Sequence, residues 1–402
     1  MPVLLASVSA LSVSTPMNLS NDSYNATYPN IQNVGNNVYA VWTEEAHGIW
    51  FRVSTDGGQV WSSAIRLSPT GNGAPDFPLM TAIGTDVYVV WSQKASIYIA
   101  ASTTSGASFS TAIIVSGTIA SSQTPVVAAY GNDVYVAFDG GGHSYVTASS
   151  NNGVTWTSPF EYSTGPEPQI AAWGTNAYAV ADASSRASNV VAVTNNNGLT
   201  WTKSGTTSGS EPWVSAYGSN VIVAWETKGS ASVVRAITST NSGKSFSSPT
   251  ELSSAVPNSW APMTGISGNT EYVAWRSNPG SSNSQEYVAV SLNAGSSWSP
   301  PTAIGIAGHD NSWPVTVPGS GSTAFIAWYV RTGTTSTSPW EAVVVETTNS
   351  GTSWSSPAVL GPSLAESDIA TAAISSNGGT LFVIWTETSS SLHTQVYFAT
   401  GS

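Results

Sequence analysis

Short apolar runs recur along the chain, nearly all ending in an aromatic residue and separated by stretches rich in Gly, Asn, Ser and Thr. They lie at 38–42, 87–91, 134–138, 177–181, 221–225, 272–275, 325–328 and 381–385. Five residues rich in β-branched and aromatic side chains suit a strand and are too short for a helix. No stretch carries a helical period. Before each run stands a second short apolar segment, usually opened by proline (Pro29, Pro78, Pro125, Pro168, Pro212, Pro262 and Pro314). After each run comes a third strand, such as 97–101 or 341–346. A fourth follows in most copies, such as 62–67 or 248–252.

Between third and fourth strands lies an eight-residue turn, most fully written as Ser54-Thr55-Asp56-Gly57-Gly58-Gln59-Val60-Trp61. It returns at 102–109, 149–156, 194–201, 239–246, 291–298 and 347–354. The pattern is a hydroxyl residue, then Asn or Asp, then Gly, then an aromatic. Its best copies use Asp56, Gly58 and Trp61; Asn151, Gly153 and Trp156; Asn196, Gly198 and Trp201; Asn293, Gly295 and Trp298; and Asn349, Gly351 and Trp354. The Asn or Asp side chain holds a tight turn by bonding to nearby backbone. The glycine supplies the positive φ, and the aromatic is expected to fold back as a plug beneath its own turn.

Four antiparallel strands in a repeat of about 50 residues describe a β-propeller blade. First, second and third strands each occur eight times, but the chain ends at Thr400-Gly401-Ser402, where an eighth turn would begin. The missing outer strand is supplied from the other end. Residues 14–20 (STPMNLS) read like 247–253 (SSPTELS). The expectation is therefore an all-β, eight-bladed propeller forming one domain over 1–402, clasped by its N-terminal strand. Seven blades is the alternative. Residues 1–12 read either as a signal-peptide remnant or as an extra N-terminal strand.

Composition narrows the function. With no cysteine, disulfides and thiolate metal sites are excluded. A net charge of −12 offers no basic footprint for nucleic acid. No apolar run reaches the roughly 18 residues that span a bilayer. Charged residues are only 8% of the chain, and a surface rich in hydroxyls and amides suits an extracellular or cell-surface location. Sequons at Asn18, Asn21 and Asn25 agree with that placement.

The turns resemble the Asp-box repeat of sialidase-like propellers. The segment 15–23 followed by Gly35-Asn36-Asn37-Val38-Tyr39 is similar to secreted archaeal proteins of that kind. The resemblance implies the fold and not the activity. True sialidases grip their substrate with three arginines and carry an Arg-Ile-Pro segment. This chain has no such segment, and its six arginines (52, 66, 186, 235, 276 and 331) are not arranged to converge.

In a propeller, ligands usually meet the mouth formed by fourth-to-first and second-to-third loops. Those loops hold thirteen acidic residues and five basic ones. The residue before the strand-opening proline is set around that mouth by symmetry. It is Tyr28, Phe77, Thr124, Glu167, Glu211, Ala261, Trp313 and, where proline is absent, Asp368. With Asp76, Trp260 and Asp310 beside them, these aromatics and carboxylates suit a sugar, which stacks its C–H faces and hydrogen-bonds its hydroxyls.

The leading expectation is thus a propeller that binds a glycan or an extracellular protein partner without chemistry. The first alternative is a glycoside hydrolase or lyase, its catalytic carboxyls drawn from Glu167, Glu211, Asp310 and Asp368. The second is a structural part of an envelope or filament. No cofactor is implied. Calcium is the one ion that clustered carboxylates would admit, although no Asp-x-Asp-x-Asp-Gly loop is present. The four histidines fall in loops of different blades and suggest no metal site.

Overall fold

The computed structural model describes residues 11–401 apart from 22, 185–187, 229–230, 257, 279–282, 319–320, 332–339, 361–372, 377–378 and 389–392. It is an eight-bladed β-propeller. Each blade is a four-stranded antiparallel sheet. In blade 1 the strands are Ala26–Val34, Asn37–Glu44, Gly48–Ser54 and Ile65–Arg66. The first strands of the following blades are Pro75–Ile83, Ser122–Tyr130, Gln169–Trp173, Ser210–Tyr217, Ser259–Ser267, Asp310–Pro318 and Ala373–Ser376. Each packs against the first strand of the next blade, and the eighth closes on the first. First strands therefore line the axis.

Blade 8 is completed by the start of the chain. Met17 pairs with Phe398 and Asn18 with Tyr397, while Val13 bridges to Gly401. Leu19 donates its N–H to the Val396 carbonyl at 2.7 Å, and its side chain is fully buried among Ile31, Trp42 and Phe398. The N-terminal strand gives blade 8 the same four strands as the other blades, with only the two residues Met17–Asn18 at its outer edge.

The second strands depart from simple alternation. Residues 38–42 are buried at every position, as are 134–138 and 221–225. Each second strand is covered by a neighbouring blade on both faces, so it reads as a continuous apolar run. Large and small residues are mixed along the run, as in Val-Tyr-Ala-Val-Trp, which lets facing blades interdigitate. The fourth strands are shorter than the sequence suggests. Those of blades 1, 2, 5, 6 and 7 keep only two paired residues, a usual way of blunting an outer edge.

The outer turns hold themselves by side-chain bonds. Thr194 Oγ1 donates to Asn196 Oδ1 at 2.9 Å and accepts from Gly198 N–H at 3.1 Å. Asn196 Oδ1 in turn accepts from Thr200 N–H at 3.0 Å. The same set recurs at 54–60, 149–155, 239–245, 291–297 and 347–353.

The aromatic plug reaches further than its own turn. Trp61 of blade 1 meets Phe398 of blade 8 at 4.9 Å, and Trp354 of blade 7 meets Tyr272 of blade 6 at 6.2 Å. It is a wedge between blades.

Candidate functional site

Among the repeated prolines only Pro168 opens its first strand, Gln169–Trp173. In six blades the others sit inside the strand, at a bulge. The ladder skips two residues between Thr27 and Asn30, Asp76 and Leu79, Gln123 and Val126, Ser210 and Trp213, Trp260 and Met263, and Ser312 and Val315. Proline has no N–H to offer a ladder, so a bulge is where it fits. The residue before it is left-handed, with φ of 49° at Tyr28, 53° at Phe77, 46° at Thr124, 54° at Glu211 and 51° at Ala261. Glu167, just ahead of its strand, has φ 66°. Six non-glycine residues thus hold an uncommon conformation at symmetric points around one mouth of the channel.

Part of that strain is held from the preceding blade. The N–H of Glu211 donates to Asp182 Oδ1 at 2.9 Å, and that of Ala261 to Glu226 Oε2 at 3.4 Å. Asp182 and Glu226 each stand near the end of a second strand and are buried. They tie one blade to the next.

Three groupings result. Between blades 1 and 2 the rings of Tyr28 and Phe77 lie 4.5 Å apart, tilted by 46°, and Phe77 is 38% exposed. Asp76 accepts from the Phe77 N–H at 2.9 Å. Burial, and the charge of Glu45, raise the Asp76 carboxyl above its usual range.

Between blades 4 and 5 the structure brings Glu167 and Glu211 into one electrostatic group with Asp182, Glu226 and Lys228. Burial, with Glu226, Glu167 and Asp182 adding and Lys228 opposing, pushes Glu211 up to about 7. Glu226 also accepts from Ser210 Oγ at 3.2 Å and lies 3.8 Å from Lys228 Nζ.

Between blades 6 and 7 Arg276 bonds Asp310 at 3.0 Å and Ser312 at 3.3 Å, and its guanidinium lies 5.4 Å from the Trp260 ring centre. Burial works to raise Asp310, but bonds from Ser284 and the Arg276 charge outweigh it and hold the carboxyl below its usual range. Beneath this pair Glu286 is fully buried, with neither carboxyl oxygen hydrogen-bonded. Burial, with Asp310 adding and Arg276 opposing, pushes it up to about 8. Glu286 and Ser284 escape a reading of the sequence, because Glu286 sits in a third strand opposite Arg276 and not in a loop.

Asp368 lies outside the described residues, as does the side chain of Trp313. Asp310 meets Arg276; its pairing with Asp368 falls outside the described residues. Three of the histidines have other partners: His143 pairs with Glu161, His309 with the Arg331 carbonyl, and His47 stacks on Tyr24. Among the described residues no group of three or more His, Asp or Glu is placed to hold a metal ion.

The shape is shared widely, the sequence hardly at all. No family model matches the chain, and no curated protein matches it in sequence. A protein of unknown function from Dyadobacter fermentans superposes with a TM-score of 0.51 at 10% identity, over 98% of this chain and 100% of that one. An ulvan lyase of polysaccharide lyase family 25, with a bound glucuronate–sulfated rhamnose fragment, gives 0.55 at 10% identity, over 94% and 95%. A Trypanosoma rangeli sialidase mutant with trans-sialidase activity gives 0.42 at 11%, over 97% and 57%. Such likeness concerns the fold alone, a β-propeller.

No three-arginine clasp is assembled in this propeller among the described residues. Arg235 pairs with Glu251 on the outer strands at 3.1 Å, Arg276 with Asp310, and Arg331 lies over Trp340. Arg52 and Arg66 stand in a third and a fourth strand of blade 1.

Proposed function

We propose that this propeller binds a glycan at the mouth ringed by its bulged first strands, as a secreted or cell-surface protein of the Asp-box type without sialidase activity. The observation that carries the reading is the Tyr28–Phe77 pair. Two rings from neighbouring blades meet at the mouth, one with an open face, and a partly desolvated carboxyl stands beside them. Rings stack on the C–H faces of a sugar while carboxylates accept from its hydroxyls. An extracellular protein carrying such a glycan would serve equally as partner.

The test is a panel of polysaccharides and oligosaccharides assayed by calorimetry. Phe77→Ala weakens at least one bound glycan about tenfold, the loss of one stacking ring, with the circular dichroism spectrum unchanged. Equal affinity of wild type and variant for every glycan bound, or no glycan bound at millimolar concentration, would sink the reading.

A hydrolase or lyase is the second reading, favoured by Glu211. A carboxyl raised to about 7 is half-protonated near neutral pH, as a general acid must be, and Glu167 stands in the same electrostatic group. If this pair cleaves a polysaccharide, Glu211→Gln removes at least about 100-fold of the rate while binding survives. Turnover equal to wild type in Glu211→Gln and Glu167→Gln would dismiss the two residues as catalysts.

A further inference from the structure

The opposite mouth of the channel is built from the C-terminal ends of the first strands. The last residues of those strands, again related by symmetry, are Val34, Ile83, Tyr130, Trp173, Tyr217, Ser267, Pro318 and Ser376. Three consecutive blades place an aromatic there and the other five do not. The rings form a continuous strip. Tyr130 and Trp173 lie 5.0 Å apart, tilted by 46°, and Trp173 and Tyr217 lie 4.2 Å apart, tilted by 37°. Tyr217 is 41% exposed, and Tyr130 and Trp173 are half-buried.

Packing does not require these rings. Five blades close the same position with aliphatic or small residues, and large aromatics left facing water normally mark a contact site. Centroids this close set the rings face against face, so the strip is a curved stack that turns with the blades and leaves its ring edges and the far face of Tyr217 toward water.

The surroundings select the ligand. Exposed Asn132, Thr175 and Ser219 stand in the adjoining inner turns. The outer turns lean over them: Asn152 N–H donates to the Asn132 carbonyl at 2.9 Å, Asn197 N–H to Thr175 at 3.1 Å, and Ser242 N–H to Ser219 at 2.9 Å. The inner and outer turns of blades 3 and 4 hold no charged residue, and those of blade 5 hold a single one, the exposed Lys244. The nearby carboxyl of Asp133, at the start of a second strand, is buried and bonded to Asn197 at 3.0 Å. Aromatic faces bordered by neutral amides and hydroxyls complement a ligand that is itself uncharged, ring-shaped and rich in hydroxyls. A protein partner would normally be met with arginine among the aromatics.

We infer that the strip Tyr130–Trp173–Tyr217 is a second binding site, distinct from the acidic mouth, and that it takes a neutral oligosaccharide. The strip stands independently of the reading given to the acidic mouth. The ligand sets a C–H face on the outward side of Tyr217, which Trp173 backs, and its hydroxyls on the amide-rich rim.

The experiment titrates the full chain by calorimetry with cellohexaose, xylohexaose and mannohexaose. Trp173→Ala, Tyr217→Ala and, as the control at the other mouth, Phe77→Ala are titrated alongside. The expected result is that at least one hexasaccharide binds wild type and Phe77→Ala alike. Tyr217→Ala weakens it about tenfold or more, and Trp173→Ala, which removes the ring behind Tyr217, weakens it several-fold, with the circular dichroism spectrum unchanged in both. Two outcomes overturn the site. Either no neutral hexasaccharide binds at millimolar concentration, or binding is lost only in Phe77→Ala, which would place all recognition at the acidic mouth.

Discussion

Gly198→Ala lowers the stability of the propeller by about 2–5 kcal/mol, whereas Gly218→Ala costs only about 1–2 kcal/mol. Both glycines are left-handed, with φ of 80° and 61°, so both variants carry the same kind of backbone strain. They differ in space. A Cβ on Gly218 would meet nothing within 4 Å, but one on Gly198 would stand 2.2 Å from the Ala148 Cβ and 3.3 Å from the Tyr135 ring. Those atoms belong to blade 3, while Gly198 belongs to the outer turn of blade 4. The turn glycine is therefore also an inter-blade contact. The same holds at Gly58 against Phe398, Gly243 against Tyr178 and Gly351 against Val290. Urea unfolding of the two variants beside wild type decides the matter. Equal losses would mean that backbone conformation alone fixes the residue and that blade contact adds nothing.

That double role explains what was legible in the sequence. The turn could be read because its chemistry is local: a hydroxyl, an amide and a glycine within five residues satisfy one another wherever they occur. Eight strand sets and the shared last blade followed by counting. The destination of Trp61 and Trp354 was not legible, because a single repeat cannot say which neighbour its wedge enters. The bulges were hidden for a sharper reason. A residue before proline prefers an extended conformation, yet Tyr28, Phe77, Glu167 and Glu211 are left-handed. For Glu211 the structure supplies an acceptor, Asp182 of the preceding blade, and that bond is tertiary. At the mouth, symmetry placed Tyr28 beside Phe77 and Glu167 near Glu211 from sequence alone. It could not place Glu286, whose significance lies in facing Arg276 across the sheet.

Stability falls as pH rises from about 5 to about 8.5, by several kcal/mol in sum, because the fold buries carboxyls that it does not pair. Glu271 and Glu286 are fully buried with neither oxygen hydrogen-bonded, and burial pushes each up to about 8. An unfolded glutamate titrates near 4.3. Between those values the folded chain binds more protons than the unfolded one, so stability is fully present below the unfolded pKa and drains as pH climbs through the folded one. Each pKa unit corresponds to about 1.4 kcal/mol, which makes two such groups enough to outweigh any single surface pair. Asp310, held low within its bonds to Ser284 and Arg276, acts oppositely and only in acid, where protonating it removes stability. The maximum therefore lies in weakly acidic solution. Charge facing Glu286 comes from Arg276, which eases its ionisation, and from Asp310, which resists it; Glu271 is raised by burial alone. Glu271→Gln should flatten the pH profile more cleanly than Glu286→Gln, and the double variant should exceed wild type at pH 8.5 by about 2 kcal/mol or more while differing little at pH 5. Urea midpoints at the two pH values, for wild type and the three variants, carry the test. A wild-type midpoint that rises between them, or a double variant that keeps the full slope, would show that these carboxyls find partners or water when they ionise.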